Sequence, residues 1–150
     1  MAHSLANILV HLVFSTKGRN RYLDDAIRDD LHGYIGGIVG NLRGKLLKAG
    51  SVEDHIHLLI ALPRTCSPAD LVKEIKTGSS KWIKTQGANY RDFHWQTGYG
   101  FFSISPSHKE ALEQYINNQA EHHKTVTFKD EYRRLMKKYG MEWNENYVWD

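Results

Sequence analysis

The chain has 150 residues, of which 41% are hydrophobic and 25% are charged, and its formal net charge is +3. This composition is typical of a globular protein, and the length suits one domain with a core, so we expect residues 1–150 to form a single domain. The longest apolar run near the start, residues 7–14, is too short for a membrane span and contains His11. The basic excess suits a polyanionic partner but does not identify one.

The number of cysteines indicates the cellular compartment in which the protein is expected. Cys66 is the lone cysteine, which excludes an internal disulfide. With no secretory signal in the sequence, we expect a cytoplasmic protein and no membrane partner.

The first half of the chain predicts a strand, a helix and two strands. Residues 7–16 are rich in β-forming side chains and lead into a polar loop with Lys17, Arg19 and Arg21. A helix is predicted from about Asp25, because apolar residues recur at helical spacing: Ile27, Leu31, Ile35, Ile38 and Leu42. Its glycines predict close packing of another backbone or a broken helix: Gly33, Gly36, Gly37 and Gly40. Strands are then predicted at 45–52 and 55–62.

The second half predicts three more helices and one strand. A helix opens at Ser67, with Pro68 at its first position and Asp70 three residues after the cap. A strand region follows at about 93–104. Capping-box patterns at Ser107 and Thr127 begin helices that run to about 123 and 139, the latter closed by Gly140. The aromatic tail, 141–150, is expected to pack on its own domain or on a partner subunit.

The element order βαββαβ predicts an α+β fold. We expect a ferredoxin-like, RRM-like sheet with helices on one face, followed by C-terminal helices. The helix that contains Tyr115 and the C-terminal tail fall at about 107–150.

A pair of histidines lies in the predicted strand 55–62. His55 and His57 are two residues apart, so their side chains project to one face, which we expect to be exposed. Ile56, Leu58 and Ile60 project to the other face, where the helices should lie. Two imidazoles placed in this way can bind one cation, although such pairs also occur by chance. His11 on the first strand either shares this face with them or is an ordinary polar residue.

A tyrosine and a glutamine lie four residues apart in the predicted helix 107–123. Tyr115 and Gln119 therefore share a helical face, and Tyr115 either serves as a nucleophile or packs in the apolar stripe of the helix. The Gln119 carbonyl is a hard oxygen ligand that suits Mg²⁺ or Mn²⁺.

Taken together, these segments resemble the small single-tyrosine HUH transposases of insertion sequences and the related REP-associated tyrosine transposases. The resemblance is carried by the strand 54–59 with His55 and His57, by the aromatic, glycine-rich segment 93–102, and by Tyr115 with Gln119. It runs from about Ala6 to the end of the tyrosine helix. One departure is Val52-Glu53-Asp54, where the family usually has a small residue and proline; Glu53 or Asp54 could orient an imidazole.

The resemblance implies an enzyme that cleaves and rejoins single-stranded DNA. His55, His57 and Gln119 would ligate a divalent metal, Mg²⁺ or Mn²⁺, and Tyr115 would form a 5′-phosphotyrosine. It further implies transposition of a mobile element in a bacterium or archaeon, a DNA hairpin at the element ends, and a homodimer. Whether Tyr115 acts within its own subunit or on its partner stays open.

Basic residues offer candidate DNA contacts. These are Lys17, Arg19 and Arg21 after the first strand, and Lys76 and Lys84 on one stripe of the second helix, where a merely solvated face is equally consistent. Phe93, Trp95 and Tyr99 could stack on bases or pack a core.

Two other functions remain open at this point. One is a non-catalytic nucleic-acid-binding module of RRM-like fold, although the sequence lacks a Gly-Phe pattern of the RNP type on its central strands. The other is a replication-initiation nuclease, which usually has larger companion domains.

Overall fold

The computed structural model describes residues 5–150, which form an antiparallel four-stranded sheet in the order β2-β3-β1-β4. The strands are β1 (Leu9–Ser15), β2 (Lys45–Ser51), β3 (His55–Ala61) and β4 (Gly100–Ile104). The helices are α1 (Arg28–Asn41), α2 (Pro68–Lys84), α3 (Lys109–Asn117), α4 (Gln119–His122) and α5 (Phe128–Lys138). Short 3-10 turns lie at Lys17–Arg19, Ala88–Tyr90 and Pro106–His108. The expected α+β fold is confirmed.

The two faces of the sheet are packed differently. On one face, alternate residues of β1 and β3 join α1 and α2 in the main core: Val10, Leu12, Phe14, Ile56, Leu58 and Ile60. The opposite face carries His11, His55 and His57, and it is covered by α3, α5 and the C-terminal tail. Since His55 and His57 are both 0% exposed, the prediction that they lie on an open face is wrong. The alternation of side chains along β3 predicts correctly that the two histidines share a face, but it does not predict that helices cover that face.

Two of the three predicted helix caps are present. The side chains of Ser67 and Thr127 accept hydrogen bonds from the backbone N–H groups three residues later, at 3.1 and 3.2 Å. The cap predicted at Ser107 is wrong, because Pro106 starts a 3-10 turn and α3 begins only at Lys109. The predicted helix 107–123 is also interrupted, since Asn118 separates α3 from α4.

The fourth strand is shorter than the predicted region 93–104. Phe93 and Trp95 turn into the main core, where the Trp95 ring packs edge-on against Phe14 with centroids 4.7 Å apart. A single bridge between Thr16 and Trp95 continues the pairing, and the regular strand begins only at Gly100. The regular pairing of β4 with β1 therefore covers residues 100–104 and does not extend back to residue 93.

The glycines of α1 do not mark a close backbone contact. The helix is unbroken, and a Cβ atom at Gly33, Gly37 or Gly40 would meet no heavy atom within 4 Å. A close approach occurs instead at Gly50 in β2. A Cβ atom there would overlap the Ile116 carbonyl oxygen and lie 2.7 Å from Ile116 Cγ2. The absence of a side chain at Gly50 thus lets α3 lie directly against the sheet.

The C-terminal tail packs on its own chain, which is one of the two arrangements expected for it. The Trp149 ring lies 5.7 Å from the Tyr132 ring, and the Trp149 carbonyl accepts a 2.8 Å hydrogen bond from Arg19 Nη1. Gly140, with φ +67°, ends the turn after α5 as predicted. Among residues 5–150, no helix has both the length and the apolar character that a membrane span requires.

Lys76 of α2 holds the loop before β4. Its ammonium donates to the carbonyl oxygens of Gln96, Thr97 and Gly98 at 2.7, 3.1 and 2.7 Å. It also lies 5.1 Å from the centre of the Phe14 ring. Burial lowers the pKa of Lys76 to about 8. All three N–H groups of this side chain are therefore engaged within the fold.

We expect Gly50→Ala to destabilise the protein by about 1–3 kcal/mol, because the added methyl group forces α3 away from β2. The matched control is Gly37→Ala in α1, where the space is open and alanine favours helix by roughly 0.5–1 kcal/mol. Thermal unfolding followed by circular dichroism measures both changes. Equal stability of Gly50→Ala and the wild type would contradict the described packing.

We expect Lys76→Ala to lower the free energy of unfolding by roughly 1–3 kcal/mol, since three carbonyl oxygens lose their donor. Lys73→Ala, an exposed lysine on the same helix, should change it by no more than about 0.5 kcal/mol. Urea unfolding compares the two variants. A stable Lys76→Ala variant would show that the loop is held by other contacts.

Candidate functional site

The predicted histidines lie on the two central strands. His55 and His57 belong to β3, and His11 on neighbouring β1 faces the same side of the sheet. His11 Nε2 and His57 Nδ1 are 2.7 Å apart. Burial lowers the pKa of His11 to about 3, so His11 is neutral and can accept the His57 proton. Of the two interpretations of His11, the one in which it shares the sheet face with His55 and His57 is confirmed.

Glu131 of α5 lies at the centre of the cluster. Its side chain is 2% exposed, and its Oε1 atom is 2.9 Å from His57 Nε2, 3.1 Å from His123 Nε2 and 3.3 Å from His55 Nε2. His122 Nε2 lies 3.2 Å from the other carboxylate oxygen. A buried carboxylate needs such partners, because an unpaired charge in the interior is very costly.

Glu131, His122 and His123 are site residues that the sequence motifs do not predict. The two histidines end a helical segment, where a positive charge suits the helix dipole without any further role. One local indication of Glu131 exists. It lies three residues after Phe128 and one before Tyr132, both buried, so a charged residue occupies the apolar stripe of α5.

Asp54 orients the first histidine of the pair. Its Oδ1 atom is 2.7 Å from His55 Nδ1, which leaves His55 Nε2 facing Glu131. This contact agrees with the orienting role considered for Glu53 or Asp54. Glu53 instead forms ion pairs with Arg21 and Arg28 at 3.4 and 3.8 Å.

Tyr115 and Gln119 reach the same cluster from α3 and the start of α4. The Tyr115 ring is 5.7 Å from the His57 ring, and its hydroxyl donates a hydrogen bond to Glu131 Oε2. Gln119 is 1% exposed; its Oε1 atom is 3.3 Å from His55 Nε2, and its amide donates to the Tyr115 carbonyl at 3.2 Å. The fold therefore brings Tyr115, Gln119, His55 and His57 together.

The electrostatics follow from burial and from the shared carboxylate. Burial alone would lower the pKa of His55, but hydrogen bonds to Asp54 and Glu131 outweigh it and raise that pKa to about 9. Burial lowers the pKa of His57. The surrounding imidazoles hold the pKa of Glu131 well below its usual range, despite burial. Burial and the Glu131 charge both raise the pKa of Tyr115.

The donor set fits a divalent metal ion. One ring nitrogen from each of His55, His57 and His123 and one carboxylate oxygen of Glu131 all lie within 4.8 Å of one another. Imidazole and carboxylate are common ligands of divalent first-row ions, and the Gln119 oxygen is a further donor beside them. A cation held there would lie close to the Tyr115 hydroxyl, which contacts Glu131.

Two depressions flank the cluster. One, of about 550 Å³, adjoins Asp54 and His123 and has a basic lining from Arg19, Arg21 and Lys124. The other, of about 370 Å³, adjoins Tyr115 and Glu131 and is lined by Arg134 and Lys138. The first depression is also lined by Glu53 and Asp54 and the second by Glu131, so both combine basic and acidic side chains.

The predicted DNA-binding residues fall into two groups. Lys17, Arg19 and Arg21 lie in the segment after β1, near the histidine cluster. Lys76 and Lys84 belong to α2, which packs on the opposite face of the sheet from Tyr115. Lys76 is already engaged by three carbonyl oxygens. The structure does not bring these two lysines to the site, and DNA contact by them stays a prediction.

Comparison with known proteins gives consistent results. The family model described as "Transposase IS200 like" matches residues 4–119. A crystal structure from Deinococcus radiodurans R1, described as that of a transposase, is similar at 22% identity and a TM-score of 0.62, over 79% of this chain and 95% of that chain. A REP-associated tyrosine transposase bound to a REP hairpin is similar at 14% identity and a TM-score of 0.61, over 84% of this chain and 74% of that chain. No curated protein matches the sequence significantly.

The match to the family model includes β1 to α3 and ends at Gln119, so it contains His55, His57 and Tyr115. Because that match extends over most of the sequence, the chain belongs to the family of IS200-like transposases.

Proposed function

We propose that this transposase cleaves and rejoins single-stranded DNA through a 5′-phosphotyrosine formed at Tyr115. The observation that carries the proposal is the contact of the Tyr115 hydroxyl with Glu131, the same carboxylate that contacts His55 and His57. The nucleophile and the histidine pair therefore share one buried group. Membership of a transposase family supports strand transfer on DNA as the reaction class.

His55, His57 and Gln119 are the residues that we propose to hold a divalent metal, Mg²⁺ or Mn²⁺. Bound there, the ion would polarise the scissile phosphate and offset the charge that develops during attack. Burial beside Glu131 raises the pKa of Tyr115, so its hydroxyl is protonated at neutral pH. A tyrosine in this environment depends on neighbouring positive charge to act as a nucleophile.

The reaction exchanges one phosphodiester bond for another. The Tyr115 oxygen bonds to phosphorus, the bond from phosphorus to the 3′ oxygen breaks, and that oxygen leaves as a 3′-hydroxyl. The tyrosine loses its proton and the departing oxygen gains one. A 3′-hydroxyl of DNA can later attack the phosphotyrosine and release Tyr115, so rejoining needs no ATP.

The surroundings of Tyr115 suit a nucleotide of the substrate. The depression beside its ring is lined by apolar Leu112 and Ile104, by basic Arg134 and Lys138 and by Glu131. Apolar side chains can contact a base or sugar, and the basic side chains can contact a phosphate. We propose that the scissile phosphate enters here.

We propose that Lys17, Arg19 and Arg21 bind the phosphates of the same strand on the other side of the cluster. Arg21 is exposed, with a side-chain exposure of 76%, and forms a 3.4 Å ion pair with Glu53. Arg19 already donates to the Trp149 carbonyl, which fixes its orientation beside the depression. Basic side chains in such a row neutralise successive phosphates.

The proposed substrate carries a hairpin, and the proposed assembly is a homodimer. The REP-associated tyrosine transposase that shares the fold is described as bound to a REP hairpin, which supports the first part. Tyr115 and His57 meet within one chain, with ring centroids 5.7 Å apart. This proximity favours attack within a single protomer.

The alternative, a non-catalytic RRM-like binding module, has less support. Such modules stack bases on exposed aromatic side chains of the sheet. Here Phe93 and Trp95 are buried in the main core, and Tyr99 alone of the three is exposed, at 37%. Helices also cover the sheet face that carries the histidines.

We expect the wild-type protein with Mg²⁺ or Mn²⁺ to form a denaturation-resistant adduct with hairpin-bearing single-stranded DNA, and we expect Tyr115→Phe to form none. The hydroxyl is the group that bonds to phosphorus, so its removal prevents the product. EDTA should also prevent the adduct. Denaturing gel electrophoresis of labelled DNA measures it, with Tyr147→Phe, an exposed tyrosine, as the matched control.

Other outcomes of this assay lead elsewhere. An adduct with Tyr115→Phe means that Tyr115 is not the nucleophile, and Tyr132 and Tyr139 become the candidates. Tight binding by the wild type without nicking or adduct favours the binding module.

We expect Arg21→Ala to weaken binding of single-stranded DNA uniformly across sequences, since binding to a phosphate carries no sequence information. The slope of log K against log salt should become shallower by about 0.7 for each phosphate that the variant no longer neutralises. Fluorescence anisotropy at several salt concentrations measures the slope. Arg91→Ala, an exposed arginine next to the turn that packs on α2, is the control, and equal slopes for both variants would remove Arg21 from the DNA path.

A further inference from the structure

The C-terminal helices supply metal donors that lie beyond the matched family segment. That segment ends at residue 119, whereas His123 and Glu131 follow it. Both side chains reach the histidine pair of β3. We infer that His123 and Glu131 complete a metal site with His55 and His57, and that this site selects Mn²⁺ or another transition-metal ion over Mg²⁺. The inference takes from the proposed function only the presence of a divalent ion at His55 and His57.

The first support is the arrangement of donor atoms. One ligand atom from each of His55, His57, His123 and Glu131 lies within 4.8 Å of the other three. Three imidazole Nε2 atoms meet a single oxygen, Glu131 Oε1, at 2.9 to 3.3 Å. A carboxylate oxygen with three such partners is poised to share a cation with them, because all four groups are Lewis bases once the imidazoles are neutral.

The second support is the orientation of the imidazoles. The Nδ1 atom of each ring has its own partner away from Glu131: Asp54 Oδ1 for His55, His11 Nε2 for His57, and the Val126 carbonyl for His123. Metal-binding histidines have this arrangement, in which the outer nitrogen donates its proton and the inner nitrogen keeps a lone pair for the metal. All three rings of the cluster follow it.

The third support is burial. His55 and His57 are 0% exposed and Glu131 is 2% exposed, while the His123 side chain is 9% exposed. Burying an ionised carboxylate among several bases is costly unless positive charge compensates for it. In the metal-free protein a proton on the histidines compensates for the carboxylate, and a divalent ion would take the place of that proton while leaving each imidazole neutral.

The donor set determines which cation fits. Three imidazoles and one carboxylate favour a transition-metal ion over Mg²⁺, since imidazole suits ions such as Zn²⁺ and Fe²⁺, while the carboxylate also suits Mn²⁺. Mg²⁺ prefers oxygen ligands and retains several waters, which a nitrogen-rich and buried cluster does not favour. Gln119 Oε1, 3.3 Å from His55 Nε2, adds one more oxygen and does not change this preference.

The site also connects the metal to the nucleophile. Glu131 Oε1 faces the imidazoles, whereas Oε2 accepts a hydrogen bond from the Tyr115 hydroxyl. One carboxylate therefore positions the tyrosine relative to the ion. Glu131 is a positioning residue for Tyr115 as well as a ligand.

Isothermal titration calorimetry of the metal-free protein, without DNA, tests the ligand set. We expect Mn²⁺ to bind at least about tenfold more tightly than Mg²⁺, and Glu131→Gln and His123→Ala each to weaken Mn²⁺ binding by about tenfold or more. Glu121→Gln, an exposed glutamate on α4, is the matched control and should bind as the wild type does. Circular dichroism verifies that each variant is folded.

Pulsed electron paramagnetic resonance of the Mn²⁺-loaded wild type gives a second measurement that needs no variant. We expect nitrogen couplings from three imidazoles, reduced to two in His123→Ala. Couplings from only two imidazoles in the wild type would overturn the inference. So would wild-type Mn²⁺ affinity in Glu131→Gln, equal affinity for Mg²⁺ and Mn²⁺, or weaker binding confined to Gln119→Ala.

These measurements separate this inference from the proposed function. A protein that binds Mn²⁺ through His123 and Glu131 but forms no DNA adduct sustains the inference and contradicts the strand-transfer proposal. A protein that forms the adduct but binds metal without His123 and Glu131 supports the strand-transfer proposal and contradicts the inference.

Discussion

The burial of the Glu131 carboxylate among histidines is the interaction on which the arrangement of the site depends. A charged group that is 2% exposed is tolerated only where other groups compensate for its desolvation. Here the compensating groups come from β3 and from the turn after α4, while Glu131 itself belongs to α5. The same contacts that satisfy the charge therefore fix the C-terminal helices on the sheet, and they bring Tyr115 to the same carboxylate.

That arrangement requires α3 to approach the sheet closely, and Gly50 provides the space. It pairs with His57 across β2 and β3, so both residues lie at the same level of the sheet. Any side chain at Gly50 would overlap the Ile116 backbone, one residue after Tyr115. A position without a Cβ atom on an edge strand thus sets the distance between the tyrosine helix and the histidine pair. The position of Tyr115 relative to His57 therefore depends on the absence of a side chain at Gly50.

Local patterns predicted what depends on local physics. Alternation along β3 correctly separated His55 and His57 from the main core, and the caps at Ser67 and Thr127 follow from hydrogen bonds within one helical turn. The family was also predicted correctly, because its motifs, His55 with His57 and Tyr115 with Gln119, each lie within a few consecutive residues and can be read from the sequence. Long-range contacts escaped prediction. Nothing near Glu131 in sequence indicates that His55 and His57 of β3 contact it, and the short β4 accompanies the burial of Phe93 and Trp95 in the main core.

The two faces of the sheet divide stability from chemistry. The face toward α1 and α2 carries aliphatic and aromatic side chains, which need only pack against those helices. The face toward α3 and α5 combines apolar side chains with the ionisable His11, His55 and His57, which are stable in the interior only when their partners are present. The histidine pair on β3 is therefore an incomplete site by itself. It becomes a defined one when the helices that follow residue 107 close over it, which makes the C-terminal third of the chain part of the catalytic centre that we propose rather than an appendage to the fold.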